Sequence, residues 1–257
     1  IAAPSGGAVD VAGTVLRIPD IYAKPARLEI GLETRSSIEA GLAMVAAPPF
    51  NVLREAAFGP DVAQGTARIH GRIGLPLVKK VEVGDVDFQI KGRLTDVVSD
   101  QLMAGQTLSA DQLSLTVDPS GLSIAGAARI GRAQMTGQWR KIFGPEHKGA
   151  SDLVGRARIN QALLDTFNIA LPKDMIAGEA QGDLSVALRK GEPPAFELSS
   201  DLSGLRLSFA PLGYGKPAGT AGALRLRGTA GPQPEISELS LSGAGLSARD
   251  GRVALTP

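Results

Sequence analysis

The stretch Leu113-Ser114-Leu115-Thr116-Val117-Asp118-Pro119-Ser120-Gly121-Leu122-Ser123-Ile124 decides the fold class. Leu113, Leu115 and Val117 recur at every second residue, the period of a strand with one apolar face. Asp118-Pro119-Ser120-Gly121 has the residues of a type I turn: Asp first, Pro second, Gly last. Leu122 and Ile124 then resume the alternation, and Ala128 and Ile130 continue it in phase. A four-residue loop sets Val117 opposite Leu122, so both arms put their apolar residues on one side.

Upstream, Val86, Phe88 and Ile90 alternate with Asp85, Asp87, Gln89 and Lys91, an amphipathic strand with one wet face. Val81 and Val83 lie in the opposite phase, and a β-bulge at Gly84-Asp85 is expected to restore a single apolar face. Leu28, Ile30 and Leu32 alternate near the start of the chain. Downstream, Gly131-Arg132 predicts a turn into Met135 and Trp139. Leu184, Val186 and Leu188, then Phe196 and Leu198, read as a pair of strands around the charged turn Arg189-Lys190-Gly191-Glu192-Pro193-Pro194. Leu205, Leu207 and Phe209 alternate as well, as do Leu224 and Leu226, Leu239 and Leu241, and Val253 and Leu255.

Helices are few. Ser36 and Glu39 have capping-box spacing ahead of Ile38, Leu42 and Val45, with Pro48-Pro49 as the stop. A second short helix is expected from Asn51 to Phe58, before Gly59-Pro60, and a third from Asn160 through Leu163, Leu164 and Phe167. The pattern Gly-x-Ala-Arg-Ile occurs at Gly65–Ile69, Gly126–Ile130 and Gly155–Ile159. Its irregular spacing is not that of a solenoid. Each copy reads as a strand with Arg on the wet face, although chance recurrence in a chain rich in Gly, Ala and Arg accounts for it equally well.

Composition agrees with this reading. Among 257 residues there are 32 glycines, 17 prolines and only 4% aromatics, without collagen periodicity. Many short elements joined by Gly and Pro turns indicate a mainly β, antiparallel protein with a few short helices. Hydrophobic residues make up 43%, too many for a disordered chain. A net charge of +1, from 27 basic and 26 acidic residues, creates no strong field for nucleic acid. The absence of cysteine excludes disulfides, thiolate metal sites and a cysteine nucleophile. No apolar run reaches the roughly 20 residues that span a bilayer, and no signal peptide is visible. Because the sequence begins at Ile1, the chain is read as a section of a longer protein, with Ala210–Gly222 the nearest approach to a subdivision, near residues 210–222.

Residues for catalysis or metal binding do not assemble into a pattern. His70 and His147 have no second histidine at ligand spacing, and His147 falls in the loop Gly144-Pro145-Glu146-His147-Lys148. Gly213-Tyr214-Gly215-Lys216-Pro217-Ala218-Gly219 imitates a phosphate loop, but Pro217 stands where Ser or Thr is required after Lys, and the third glycine is misplaced for a dinucleotide site. A structural turn is the better reading. Glu82, Asp85 and Asp87 are explained as solvated charges rather than calcium ligands. There is no nucleophile elbow. No cofactor is expected, and the chain is read as non-enzymatic.

Several segments in order carry a family resemblance: Pro76-Leu77-Val78, Val86 to Leu94, Leu113 to Asp118, Gly121 to Gly126, Gln138-Trp139-Arg140 with Phe143, Asp201-Leu202-Ser203-Gly204-Leu205, and Pro211 to Gly219. Together they resemble the large AsmA-like domain of YhdP-type proteins of Gram-negative bacteria, with Tyr214 where Trp is expected. The resemblance runs from about Ser36 to the C-terminus. It implies a curved antiparallel sheet forming an elongated, taco-like groove, and residues 1–257 as one section of a longer periplasmic body anchored in the inner membrane. The implied partners are phospholipid acyl chains, passing between the inner and outer membranes, and neighbouring sections of the same chain.

On this reading the candidate groove lining is Val86, Phe88, Ile90, Leu113, Leu115, Val117, Leu122, Ile124, Leu184, Val186, Leu188, Phe196 and Leu198. The same alternation also builds the dry core of a β-sandwich. A structural or adaptor domain of the cell envelope, with a closed core and a protein partner, is therefore the alternative. A carbohydrate-active enzyme is a more remote one, since few aromatics are available to stack on sugars.

Overall fold

A computed structural model describes the chain except residues 5–6, 49–57, 104, 148, 168, 170, 173, 210–212, 232–234, 244–245 and 255–257; residues 83 and 246–254 are described by backbone alone. The protein is mainly β and antiparallel, and it divides into two compact units. The first comprises Ile1–Gly126 and Arg140–Lys148, the second Ala127–Trp139 and Gly149–Pro257. The Pro/Gly-rich stretch near residues 210–222 falls inside the second unit.

The first unit contains β1 (Val9–Asp10), β2 (Val15–Arg17), β3 (Arg27–Ser37), α1 (Ile38–Ala46), β4 (Gln64–Pro76), β5 (Asp87–Met103) and β6 (Gln106–Asp118). It also holds the start of β7 (Gly121–Ile130) and the end of β8 (Ala133–Ile142). The strands are hydrogen-bonded in the order β1-β3-β4-β5-β6-β7-β8, with β2 also on β3. The predicted β6–β7 hairpin is present. The Asp118 carboxylate accepts the Ser120 N–H at 2.8 Å, the Gly121 N–H at 3.2 Å and the Ser120 hydroxyl, and these bonds hold its pKa below the ordinary carboxylate value.

Two local expectations are corrected. The cap of α1 is Ser37, not Ser36: the Ser37 hydroxyl accepts the Ala40 N–H at 3.1 Å, while Ser36 is buried on β3. Strand alternation ends one residue later than the capping-box spacing implies. At Gly84-Asp85 there is no bulge but a 3₁₀ turn, Val83–Asp85. The Asp85 carboxylate accepts the Glu82 N–H at 2.9 Å and the Asp85 N–H bonds back to Glu82 O at 3.0 Å, closing a loop before β5 begins. Val86 consequently precedes the strand. The helix expected over Asn51–Phe58 lies, but for Phe58, outside the described residues.

The second unit continues with β9 (Ala150–Ile159), α2 (Gln161–Thr166), β10 (Ile176–Gly178), β11 (Ala180–Arg189), β12 (Ala195–Ser200), β13 (Leu205–Phe209), β14 (Tyr214–Lys216), β15 (Ala223–Thr229), β16 (Glu235–Gly243) and β17 (Leu246–Ala254). Its large sheet runs β8-β9-β11-β12-β15-β16-β17, and β10-β13-β14 form a separate three-stranded sheet. The strand order does not close into a barrel. The helix expected from Asn160 is present as α2, with Asn160 as its cap: its side chain accepts the Leu163 N–H at 3.1 Å. Leu163 and Leu164 are buried.

Of the Gly-x-Ala-Arg-Ile copies, all three lie in strands, with Arg68, Arg129 and Arg158 exposed and Ala and Ile turned inward. Alternation of wet and dry positions holds along most of the long strands among the described residues, β3, β4, β8 and β9 among them.

Candidate functional site

Register brings the inward residues into rows that cross the strands. In the first unit Ile30, Ile73 and Phe88 are directly opposed, and next to them Leu32, Gly71, Ile90 and Val117. The following row is Thr34, Ile69, Gly92 and Leu115, and then Ser36, Ala67, Leu94 and Leu113. In the second unit Gly155, Leu184, Leu198, Leu226 and Leu239 form one row, and Leu153, Val186, Phe196, Gly228 and Ile236 the next. Directly opposed apolar side chains stabilise a sheet by a few tenths to about 1 kcal/mol per pair.

Glycine alternates with large side chains in these rows. A Cβ at Gly92 would lie 2.5 Å from Ile69 Cδ1 and 3.2 Å from Leu115 Cδ2, so the flanking side chains fold over the glycine. At Gly155 the paired backbone approaches instead: a Cβ would collide with Thr136 O and lie 2.6 Å from Gly137 Cα. Only glycine admits such close approach of neighbouring strands.

Cover over these rows is local. In the second unit α2 and the three-stranded sheet bury Ile159, Ala180, Leu198, Leu202, Leu205 and Leu207 in one cluster, against which Leu184, Leu224, Leu226 and Leu241 pack. In the first unit α1 packs on β3 and β4, and its Ala40 and Ala43 bury Ala3 and Val9. Beyond these patches some inward residues of the first unit are buried, among them Ala67, Val97, Ser99 and Ala110, and many others are half-buried. Of the thirteen residues predicted to line a groove, only Leu198 is buried; Val86, Phe88, Ile90, Leu113, Leu115, Val117, Leu122, Ile124, Leu184, Val186, Leu188 and Phe196 are half-buried. Leu184 and Leu198 belong to the covered cluster, whereas Val186 and Phe196 do not.

The surface area carries the same message. The 26.5 kDa chain exposes 16141 Å². A compact protein of that mass exposes about 10,700 Å², and two compact halves about 12,900 Å². Half-buried apolar rows contribute to the excess.

The cover of the second unit rests on a residue whose role was not legible in sequence. Lys216 is only 1% exposed, and its ammonium donates to Leu202 O and Leu205 O at 2.8 Å each and to Pro217 O at 3.3 Å. All three N–H donors are satisfied by carbonyls. Leu202, held at φ +56°, is further fixed by its N–H bond to Ser200 Oγ at 3.0 Å. The Asp201 carboxylate accepts the Ser203 N–H at 2.9 Å; this bond, with the Ser203 hydroxyl and the nearby Lys216 charge, lowers its pKa. Tyr214 donates its hydroxyl to Gly243 O at 2.7 Å. The Gly213–Gly219 segment is therefore a structural lock, and a run of ordinary appearance, Leu205-Arg206-Leu207, is a lid strand rather than part of the large sheet.

The polar residues form no metal site: among the described residues no group of three His, Asp or Glu is placed to hold an ion. His70 is exposed on β4 opposite Glu33 and Lys91, and His147 lies 3.7 Å from Glu146. On the polar face of the second unit a cleft of about 710 Å³ is lined by Arg156, Asp183, Ser199, Arg225, Glu238 and neighbours. Its arginines are neutralised locally: Arg156 meets Asp183 at 3.3 Å, and Arg225 meets Glu197 at 3.6 Å. Compared with known proteins, the chain matches no family model, no curated protein and no solved structure.

Proposed function

We propose that this chain is a section of an AsmA-like, YhdP-type body in the periplasm, and that it conducts phospholipid between inner and outer membranes along its apolar sheet face without catalysing a reaction. The observation that carries the reading is the combination of opposed apolar rows and missing cover: Phe88, Ile90, Val186 and Phe196 face inward in register yet remain half-buried. Such a face suits acyl chains, which need a continuous apolar surface and no polar recognition. Each CH₂ removed from water contributes about 0.8 kcal/mol, so about a dozen half-covered methylenes gain on the order of 5 kcal/mol, enough to hold a chain without trapping it.

The test is photo-crosslinking in cells. A photo-reactive residue at Phe88 or Phe196 is expected to capture phospholipid, and one at the outward Arg156 is expected not to. Capture of a protein at Phe88 and Phe196, or of nothing, would replace this reading with the adaptor role.

A further inference from the structure

On the polar face of the first unit, Arg35, Arg68 and Arg93 stand directly opposite one another across β3, β4 and β5. All three are exposed. With strands about 4.8 Å apart, the row packs three positive side chains into about 10 Å, and like charges directly opposite disfavour a sheet. Among the described residues none of the three has an acidic partner at ion-pair distance. Arg72 and Lys91, on the same face, add to the charge. By register the nearest acids are Asp10, opposite Arg35 at the β1 edge, and Glu33, opposite His70. Asp10 uses its carboxylate on the Ala12 N–H at 2.9 Å.

The second unit supplies an internal control. There Arg156 is opposite Asp183, and Arg227 stands between Glu197 and Glu238, with ion pairs of 3.3, 3.3 and 3.2 Å. Glu197 and Glu238 hold the Arg227 guanidinium more firmly protonated than usual. Arg156 and Arg227 are answered by carboxylates across the strand; the first unit's row is not.

We infer that the Arg35–Arg68–Arg93 row is a docking strip for the phosphate groups of an anionic lipid bilayer. Guanidinium pairs with phosphate bidentately, and the row is longer than one phosphate, which suits a plane of headgroups. No Phe, Tyr or Trp stands among the opposed outward residues of β3–β5 to offer the broad stacking platform that single-stranded nucleic acid binding uses. The strip is separate from the acyl-chain path, because outward and inward residues alternate along the same strands.

Co-sedimentation with vesicles tests it. The chain is expected to bind phosphatidylcholine vesicles doped with phosphatidylglycerol and not pure phosphatidylcholine, with affinity falling as salt rises. Replacing all three residues (Arg35→Gln, Arg68→Gln and Arg93→Gln) is expected to weaken binding about 100-fold, at roughly fivefold per basic residue near an anionic surface. Arg35→Lys, Arg68→Lys and Arg93→Lys together keep the charge and are expected to lose less. The thermal midpoint of the Gln variant is expected to match or exceed that of the parent, since like charges are removed. Removing Arg156, Arg225 and Arg227 instead is expected to leave vesicle binding intact. Equal binding to both vesicle types, full binding by the Gln variant, or capture by heparin but not by vesicles overturns the inference. The Phe88 crosslink does not depend on these residues, so failure here and failure of the conduction reading are distinguishable.

Discussion

Leu198 and Phe196 stand two residues apart on β12, on the same face of the same sheet, and have different surroundings. Leu198 is buried beneath α2 and the three-stranded sheet. Phe196, one row along and opposite Val186, is half-buried and lies outside that cluster. Both residues obey one alternation. The difference is whether a distant piece of chain has folded over them, and it separates an ordinary core from a surface that can accept a ligand.

The comparison can be broken most forcefully at the lock. Lys216→Ala leaves the carbonyls of Leu202 and Leu205 without their buried donor and is expected to lose about 3–4 kcal/mol in chemical denaturation. If the loss is negligible, the cover does not depend on Lys216. A step down in size, Leu205→Ala removes a fully buried side chain and is expected to cost about 3 kcal/mol, whereas Phe196→Ala is expected to cost about 1 kcal/mol, because its ring is partly exposed and lies outside the covered cluster. Equal losses in the same assay would erase the distinction between covered and uncovered rows.

Glycines sharpen the contrast further. Gly155→Ala drives a methyl into the backbone of β8 and is expected to cost about 2 kcal/mol. Gly182→Ala meets only the tips of Ile159 and Leu198, at 2.8 Å each, and is expected to cost about 1 kcal/mol, read from the thermal midpoints of the two variants.

The smallest effect concerns pH. The folded pKa of Asp201 is depressed by its bonds to Ser203 and by Lys216, so its contribution is present above the unfolded value and is lost as pH falls through the folded one. Hydrogen exchange at the Leu202–Leu205 turn is therefore expected to quicken, relative to the uncovered strands, below about pH 4. Asp201→Asn is expected to flatten that dependence.

Much of the fold was legible because it is local. The Asp118–Gly121 turn, the hairpin arms around it, the Gly131-Arg132 turn and the short helix after Asn160 each depend on a few adjacent residues and formed as read. Where reading failed, a competing local bond won: Ser37 took the cap from Ser36, and the Asp85 carboxylate closed a turn where a bulge was expected. Leu205, Leu207 and Phe209 alternate like any strand of the large sheet, and nothing in their spacing assigns them to a second one. Of the candidate lining, Val86 fell outside the strand it was assigned to; that Leu198 and Leu184 would be covered, and Val186 and Phe196 would not, was unreadable.

By itself the sequence determined which residues face the same way, since side chains alternate strictly along an extended backbone and turn chemistry sets the register. Only the tertiary structure decided what those faces meet. Cover depends on segments apart in sequence: α2 over the large sheet, β10 beside β13, and Lys216 reaching the carbonyls of Leu202 and Leu205. Those approaches arise from packing and buried hydrogen bonds between remote residues, which a period of two does not encode.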